Sequence, residues 1–262
     1  MMSEIGIPFD LDKKKAYLTG DYSDQVEALD ASLNACDGPN ALNNSVWTYC
    51  PDNTHAKGDL WNGEDLSLWS QDDCKQSAMR MRSSSIGSDK TTTSVDFNDG
   101  ARALPAFCRP YPTACVGTPT NISFTINTSA FRLDLLVRPN EVADTSLPTE
   151  IYLPLVHYGL SQDDQTSAIS DVSVRELSID VKVSSGRWEV KGQGLFWFHG
   201  QPTEGARKEW ITVSRTGGAM CAWAEQYGQT GESSLVRLSC VCVVEADFLH
   251  QMDRLMSCCC VQ

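Results

Sequence analysis

Two short apolar stretches near the start of the chain carry residues that could cleave a glycosidic bond. Glu4 lies in the first stretch, Ser3-Glu4-Ile5-Gly6, and Trp47 lies in the second, residues 45–50. Glycoside hydrolysis needs two carboxyl groups, which in retaining enzymes stand about 5–5.5 Å apart so that one attacks while the other protonates the leaving oxygen. Glu4 supplies at most one of them, and a solvated terminal charge is the simpler interpretation of Glu4 alone.

A loop rich in polar side chains follows Trp47. It contains Asp52, Asn53, His55, Asp59, Asn62, Glu64 and Asp65, together with Trp61 and Trp69. A flat indole face such as that of Trp47 stacks on a sugar ring, and the polar side chains can bind hydroxyl groups. The alternatives are an acidic surface turn or a weak calcium site, although the oxygen spacing is too irregular for an EF-hand.

The elements that must position these residues are a strand, a helix and a second strand. Residues 5–8 predict a short strand that ends at proline, residues 13–34 carry apolar side chains at helical spacing, and residues 45–50 are rich in β-branched and aromatic types. A carboxylate at the end of one parallel strand, with an aromatic residue at the end of the next, is how a (β/α)8 barrel builds an active site.

Beyond Ala101 the pattern changes to short alternating segments separated by turns. These segments are residues 122–126, 131–137, 150–156, 178–183, 188–192 and 195–200. Several short strands at near-regular spacing predict an antiparallel sandwich. In the last part of the chain, residues 238–244 indicate a further strand and residues 247–256 a short helix.

Composition excludes several classes of protein. Among the 262 residues, Lys+Arg number 21 against 34 Asp+Glu, and the net charge of -13 repels phosphate backbones, so nucleic acid is not an expected partner. No stretch approaches the roughly 20 apolar residues of a membrane helix and no signal peptide is visible, which predicts a cytoplasmic protein. The 11 cysteines are irregularly spaced, and a disulfide framework is not expected.

Several long strings resemble one enzyme family. They are EIGIPFDLDKKKAYLTGDY, ALDASLNACDGPNALNNSVWTYCPDN, GDLWNGEDLSLWS, GARALPAFCRPYP, TEIYLPLVHYG and SSGRWEVKGQGLFWFHG. Over residues 4–218 the chain resembles the C-terminal part of fungal glycoside hydrolase family 5 β-glucosidases that act on glucosylceramide or steryl glucosides, relatives of endoglycoceramidase. The resemblance implies an α/β plus all-β fold class, with the last two βα units of an incomplete (β/α)8 TIM barrel followed by an antiparallel β-sandwich.

The resemblance also implies roles for individual residues. Glu4 falls at the family's catalytic nucleophile, at the end of barrel strand seven, and Trp47 falls on strand eight, where the family's tryptophan lines the subsite of the glucose being cleaved. The expected substrate-binding residues are Trp47, Tyr49, Asn53, His55, Glu64 and Asp65, the last two with loop bracing as the alternative role. The chain departs from the family after His55, where Ala56-Lys57 replaces an expected Glu-Trp. No cofactor or metal is expected.

The same resemblance predicts that the chain alone is inactive. A whole barrel takes about 250 residues, and the strand expected to carry the general acid/base glutamate is absent from the printed sequence. Asn140-Glu141 does not replace it, because that pair lies in an expected turn of the sandwich. Loss of general acid/base catalysis removes about 10²–10⁴ in rate.

The predicted division of the chain has four parts. They are the barrel remnant at residues 1–74, a polar linker at 75–100, the sandwich at 101–218 and a divergent Cys-rich tail at 219–262. The final Cys259-Cys260-Val261-Gln262 fits a prenylation signal, but no polybasic stretch supports it and chance is the simpler explanation.

Two functions are open at this point. One is a fragment of a retaining β-glucosidase that hydrolyses a glycolipid, with the glycolipid as its only expected partner. The other is a non-catalytic β-sandwich binding module or a pseudoenzyme. The sequence leaves peripheral membrane contact and oligomeric state undecided, although exposed barrel edges favour self-association.

Overall fold

A computed structural model of the chain describes residues 1–39, 41–61, 63–74, 99–144, 146–159 and 177–216. The predicted polar linker, apart from Asp99 and Gly100, lies outside the described residues. The same holds for the Cys-rich tail, including the strand expected at 238–244, the helix expected at 247–256 and the prenylation signal.

The first part of the chain forms two short parallel strands and two helices. These elements are β1 (Met2–Ile5), α1 (Leu11–Thr19), α2 (Ser23–Asn34) and β2 (Asn44–Val46). In the β1–β2 pair, Met2 lies opposite Asn44 and Ile5 opposite Val46. The loop after β2 includes a 3-10 turn at Gln71–Asp73.

The helix predicted over residues 13–34 is divided in two. Gly20 ends α1 with a left-handed backbone, φ +71°, and its N–H donates to the carbonyl of Ala16 at 2.7 Å. Glycine adopts this conformation at no steric cost, which is why helices so often end there. The chain then starts α2 at Ser23, which buries Val26, Leu29 and Leu33.

The second part forms two four-stranded antiparallel sheets. Its elements are α3 (Leu104–Phe107), β3 (Tyr111–Ala114), β4 (Thr118–Thr125), a 3-10 turn (Ile126–Thr128), β5 (Ala130–Val137), β6 (Thr149–Tyr152), α4 (Leu155–Tyr158), β7 (Ile179–Val183), β8 (Arg187–Lys191), β9 (Gly194–Phe198) and β10 (Arg207–Arg215). One sheet has the order β4-β5-β10-β7 and the other β3-β6-β9-β8.

The six predicted strand segments all contain strands, with one correction. Residues 150–156 leave the sheet after Tyr152, because Pro154 cannot donate to a strand ladder and the chain turns into α4. Two strands, β3 and β10, were not predicted. β3 carries Pro112, which weakens its strand signal. β10 is a central strand, between β5 and β7.

Both sheets bury one face in a common apolar core. On β5 the residues Phe131, Leu133, Leu135 and Val137 point inward and are at most 1% exposed. The second sheet contributes Ile151, Leu195 and Trp197, and the same core extends to Phe9 and Leu29 in the first part of the chain. The antiparallel sheets agree with the all-β half of the expected fold class, and the described residues include no closed barrel.

Candidate active site

The parallel pairing of β1 and β2 places Glu4 and Trp47 at neighbouring strand ends. The N–H of Trp47 donates to the carbonyl of Ile5 at 2.8 Å, which continues the pairing one residue past β2. Ile5 is buried, whereas the side chain of Glu4 is exposed. Within the described part of the chain, Glu4 forms no side-chain hydrogen bond or ion pair with another described residue.

Gly6 lets β1 approach the segment that follows Trp47. A Cβ at this position would lie 2.6 Å from the carbonyl oxygen of Trp47 and 2.9 Å from Cδ2 of Leu66, so only glycine fits without a shift. The Thr48 N–H donates to the Leu66 carbonyl at 3.1 Å, and the Leu68 N–H donates to the Thr48 carbonyl at 2.8 Å. The loop therefore returns alongside the end of β2.

Trp47 presents a half-buried indole at this edge. Its ring meets that of Trp61 edge-on, with centroids 5.8 Å apart and an interplanar angle of 60°. The indole N–H of Trp47 is buried and has no hydrogen-bond partner among the described residues.

Tyr49 and Glu64 lie near this edge in different settings. Tyr49 is half buried with its ring centroid 6.4 Å from that of Trp69, and burial raises its pKa. Glu64 is exposed at the tip of the loop, where its N–H donates to the carbonyl of Trp61 at 3.1 Å. Glu64 and Trp61 therefore reach solvent together.

Arg102, which sequence reasoning missed, lies at the centre of the loop. Its side chain is fully buried, its Nη1 donates to Asp65 at 2.7 Å and its Nε donates to Asp73 at 2.6 Å. Three aromatic rings surround the guanidinium, with centroids 5.3, 5.2 and 5.8 Å from its Cζ: Phe9, Tyr17 and Tyr22. The arrangement pairs a desolvated cation with two carboxylates and adds cation–π contacts.

Asp65 and Asn53, two of the expected sugar-binding residues, belong to this buried network. Asp65 accepts from Asn53 Nδ2 at 2.7 Å, from the Tyr17 hydroxyl at 2.5 Å and from Arg102. Burial alone would raise the pKa of Asp65, but the hydrogen bonds from Tyr17 and Arg102 outweigh it and lower that pKa. Asp65 is 2% and Asn53 0% exposed, positions that fit the bracing role left open for Asp65.

His55 lies at the rim of the same network. Its ring stacks on Tyr17 with centroids 3.9 Å apart and planes 7° from parallel, and its Nε2 lies 3.2 Å from the Asp73 carboxylate. The Asp73 carboxylate also accepts from the Tyr22 hydroxyl at 2.9 Å. Of the expected binding residues, Glu64 is exposed and Trp47 is partly exposed, whereas Asn53 and Asp65 are buried.

The Asn140-Glu141 pair lies far along the chain, in the turn after β5. Asn140 has a left-handed backbone, φ +58°, and Glu141 Oε2 accepts from the Arg138 N–H at 3.0 Å. The carboxylate thus stabilises its own turn.

The described residues were also compared with what a metal site, a membrane-spanning helix or a disulfide bond requires. No group of three or more His, Cys, Asp or Glu side chains among the described residues could hold a metal ion. None of the described helices is long and apolar enough to cross a membrane. The described cysteines carry free thiols: Cys36, Cys50, Cys74, Cys108 and Cys115.

The antiparallel part of the chain matches a known protein family. Residues 109–213 match the family described as the glycoside hydrolase family 5 C-terminal domain. The matched residues comprise most of the two sheets. The match confirms the resemblance derived from the sequence.

The chain is also similar to individual proteins over about three quarters of its length. It is 31% identical over 236 residues to a glucosylceramidase of Aspergillus fumigatus, which covers 76% of this chain and 30% of that protein. It is also 31% identical over 237 residues to an ergosteryl-beta-glucosidase of Saccharomyces cerevisiae, covering 75% of this chain and 28% of that protein. The chain thus spans less than a third of the length of these relatives.

A solved structure agrees with these similarities. Sterylglucosidase 1 of Cryptococcus neoformans, crystallised with tris, superposes with a TM-score of 0.69 at 42% identity. The superposition covers 84% of this chain and 28% of that one. The chain is accordingly similar to the C-terminal portion of family 5 β-glucosidases.

Proposed function

We propose that this chain corresponds to the C-terminal portion of a retaining β-glucosidase that hydrolyses the glucosidic bond of a glycolipid, either glucosylceramide or a steryl glucoside. The observation that supports the proposal is the register of β1 and β2, which puts Glu4 and Trp47 on neighbouring parallel strands. The activities named for the relatives supply the substrate class.

In the proposed mechanism Glu4 is the nucleophile. Its carboxylate attacks the anomeric carbon, and the bond from that carbon to the aglycone oxygen breaks as a second carboxylic acid protonates the oxygen. Water then attacks the glycosyl–enzyme ester, the second carboxylate takes the proton of the water, and glucose leaves with Glu4 regenerated. Trp47 would stack its indole ring on the glucose.

In this proposal the parallel strand pair and the antiparallel sheets belong to two different domains of the enzyme. The β1–β2 pair would be the last two strands of a (β/α)8 barrel, whose catalytic groups gather at the carboxyl ends of the strands. The two antiparallel sheets, each with one buried face, would be the β-sandwich that follows the barrel. The second carboxylic acid would come from a barrel strand that these 262 residues do not supply, so we expect the chain alone to be inactive.

A chimera tests the proposal. The 262-residue chain replaces the similar C-terminal portion of the Cryptococcus neoformans sterylglucosidase, and hydrolysis of steryl glucoside and glucosylceramide is measured. We expect a folded chimera to be active, Glu4→Gln to lower kcat by more than about 10³-fold, and Glu27→Gln on the exposed face of α2 to leave kcat unchanged. A Glu4→Gln chimera as active as its parent would contradict the assignment, and a folded but inactive parent would favour a non-catalytic module.

A further inference from the structure

We infer that Arg102 is a positioning residue, which holds the loop segment that fixes Trp47 and thereby couples the antiparallel sheets to the catalytic edge. The catalytic consequence of this inference depends on the proposed function. The structural coupling does not, because it can be measured on the chain itself.

Arg102 is hydrogen-bonded to the segment from Asp65 to Leu68. Its Nη1 donates to the Asp65 carboxylate at 2.7 Å and to the Ser67 carbonyl at 3.3 Å. Its backbone N–H donates to the Leu68 carbonyl at 2.8 Å. One residue therefore fixes the segment through both its side chain and its backbone.

This segment is in turn hydrogen-bonded to Thr48, the residue directly after Trp47. Leu66 accepts a backbone hydrogen bond from Thr48, and Leu68 donates one back to Thr48, so the residue directly after Trp47 is held on both sides. The Leu66 side chain also closes on Gly6, two residues after Glu4. A shift of the segment would therefore move the groups that set the positions of Trp47 and Glu4.

Arg102 is also connected to the antiparallel part of the chain through the short helix α3 that follows it. Arg102 is followed directly by Ala103 and by α3, whose Ala106 is fully buried. The carbonyl of Pro105 in α3 accepts a hydrogen bond from Nε2 of the buried His157 in α4 at 2.9 Å. Arg102 is thus anchored on the side of the sheets while its side chain holds the loop.

Lysine is a poor replacement at this position. The planar guanidinium reaches Asp65 and Asp73 with different nitrogens, 2.7 and 2.6 Å away, whereas an ammonium group is a single point charge. Arg102→Lys keeps the positive charge that the buried Asp65 and the partly buried Asp73 need, so this variant is expected to fold where an uncharged side chain would leave them unpaired.

Hydrogen exchange on the 262-residue chain tests the coupling. In Arg102→Lys we expect the amides of Thr48 and Leu68 to exchange about 10²-fold faster, while protection within β5 and β10 stays unchanged. Arg132→Lys is the matched control, since Arg132 pairs with Asp134 at 2.6 Å on the exposed face of β5. Equal exchange at Thr48 and Leu68 in the two variants would overturn the inference, as would acceleration spread evenly over β5 and β10.

A kinetic cycle in the chimera tests the catalytic consequence. Arg102→Lys should lower kcat/KM about tenfold when Trp47 is present and less than about twofold when Trp47 is replaced by Ala, because Arg102 acts through Trp47. Additive losses would overturn the positioning role. If instead Glu4→Gln stays active, the proposed function fails, and the hydrogen exchange result still decides the structural coupling.

Discussion

The backbone N–H of Trp47 donates to the carbonyl of Ile5, so the indole lies on the strand next to the one that carries Glu4. The register of two parallel strands, rather than a contact between the two side chains, therefore sets where the carboxylate and the aromatic ring stand relative to each other. Gly6 maintains this arrangement, because any larger residue would push against the carbonyl of Trp47. The geometry therefore depends on backbone packing.

Trp61 is expected to contribute to substrate binding without supporting the fold. Its side chain is 61% exposed and meets Trp47 edge-on at the open edge. Trp61→Ala should change the free energy of unfolding by less than about 0.5 kcal/mol. The same substitution should lower kcat/KM for glycolipid in the chimera about 2–10-fold, the size of one lost aromatic contact.

Trp188→Ala provides the control for that experiment. Trp188 is 41% exposed on β8, in a sheet that carries none of the proposed catalytic groups. We expect kcat/KM to stay unchanged in this variant. Equal kcat/KM values for the two alanine variants would contradict a binding role of Trp61.

Gly186 is expected to be essential for the turn between β7 and β8. Its φ is +81°, and a Cβ there would lie 2.1 Å from the carbonyl oxygen of Phe198. Because backbone atoms cannot yield as a flexible side chain does, Gly186→Ala should lower the free energy of unfolding of the chain by more than about 3 kcal/mol, measured by urea denaturation.

Gly192 separates the steric effect from the backbone conformation. It also has a positive φ, +57°, but a Cβ there would meet nothing within 4 Å. Gly192→Ala should therefore cost only the conformational penalty of about 1–2 kcal/mol. Equal losses in the two alanine variants would show that the close contact at Gly186 is not what requires glycine.

His157 should make the fold sensitive to acid. Its Nε2 donates to the Pro105 carbonyl, and burial lowers its pKa from 6.5 to about 4. The unfolded chain therefore takes up a proton at higher pH than the folded chain, so stability is lost as the pH falls from about 6.5 to about 4. The pKa difference corresponds to a loss of about 3 kcal/mol.

The variant His157→Gln tests this dependence, since glutamine can still donate to the Pro105 carbonyl but takes up no proton. We expect its free energy of unfolding to fall by about 3 kcal/mol less than that of the parent between pH 7 and pH 4. Between pH 7 and pH 8.5 the two proteins should show the same slope. An identical acid loss in both would mean that other groups, such as Asp65, cause it.

The strands were predictable where local patterns carry the information. Apolar residues recur at every second position from Phe131 to Val137, and these are the buried positions of β5, so this strand follows directly from the sequence. β3 does not, because Pro112 interrupts its strand signal while the edge position of β3 in the sheet tolerates proline. Gly20 likewise divides a continuous helical pattern, since an isolated glycine within such a pattern can either be tolerated or end the helix.

The candidate site was predictable only in part for a related reason. The strings around Glu4 and Trp47 resemble a known family, and the structure brings those two residues to neighbouring strands. Arg102 pairs with Asp65 and Asp73, which are 37 and 29 residues earlier in the chain, and no local pattern reports pairing over such separations. The apolar residues around Arg102, in ARALPAF, are the one signal that it is buried.

The measurement that tests the central claim most directly is covalent trapping of the nucleophile. A 2-deoxy-2-fluoro-β-glucoside with a dinitrophenolate leaving group needs no acid catalyst for departure, while the fluorine slows hydrolysis of the glycosyl–enzyme ester. Incubation with the active chimera, followed by proteolysis and mass spectrometry, should find the fluoroglucosyl group on Glu4, and Glu4→Gln should remain unlabelled. Stoichiometric labelling of any other carboxylate would contradict the assignment of Glu4 as the nucleophile.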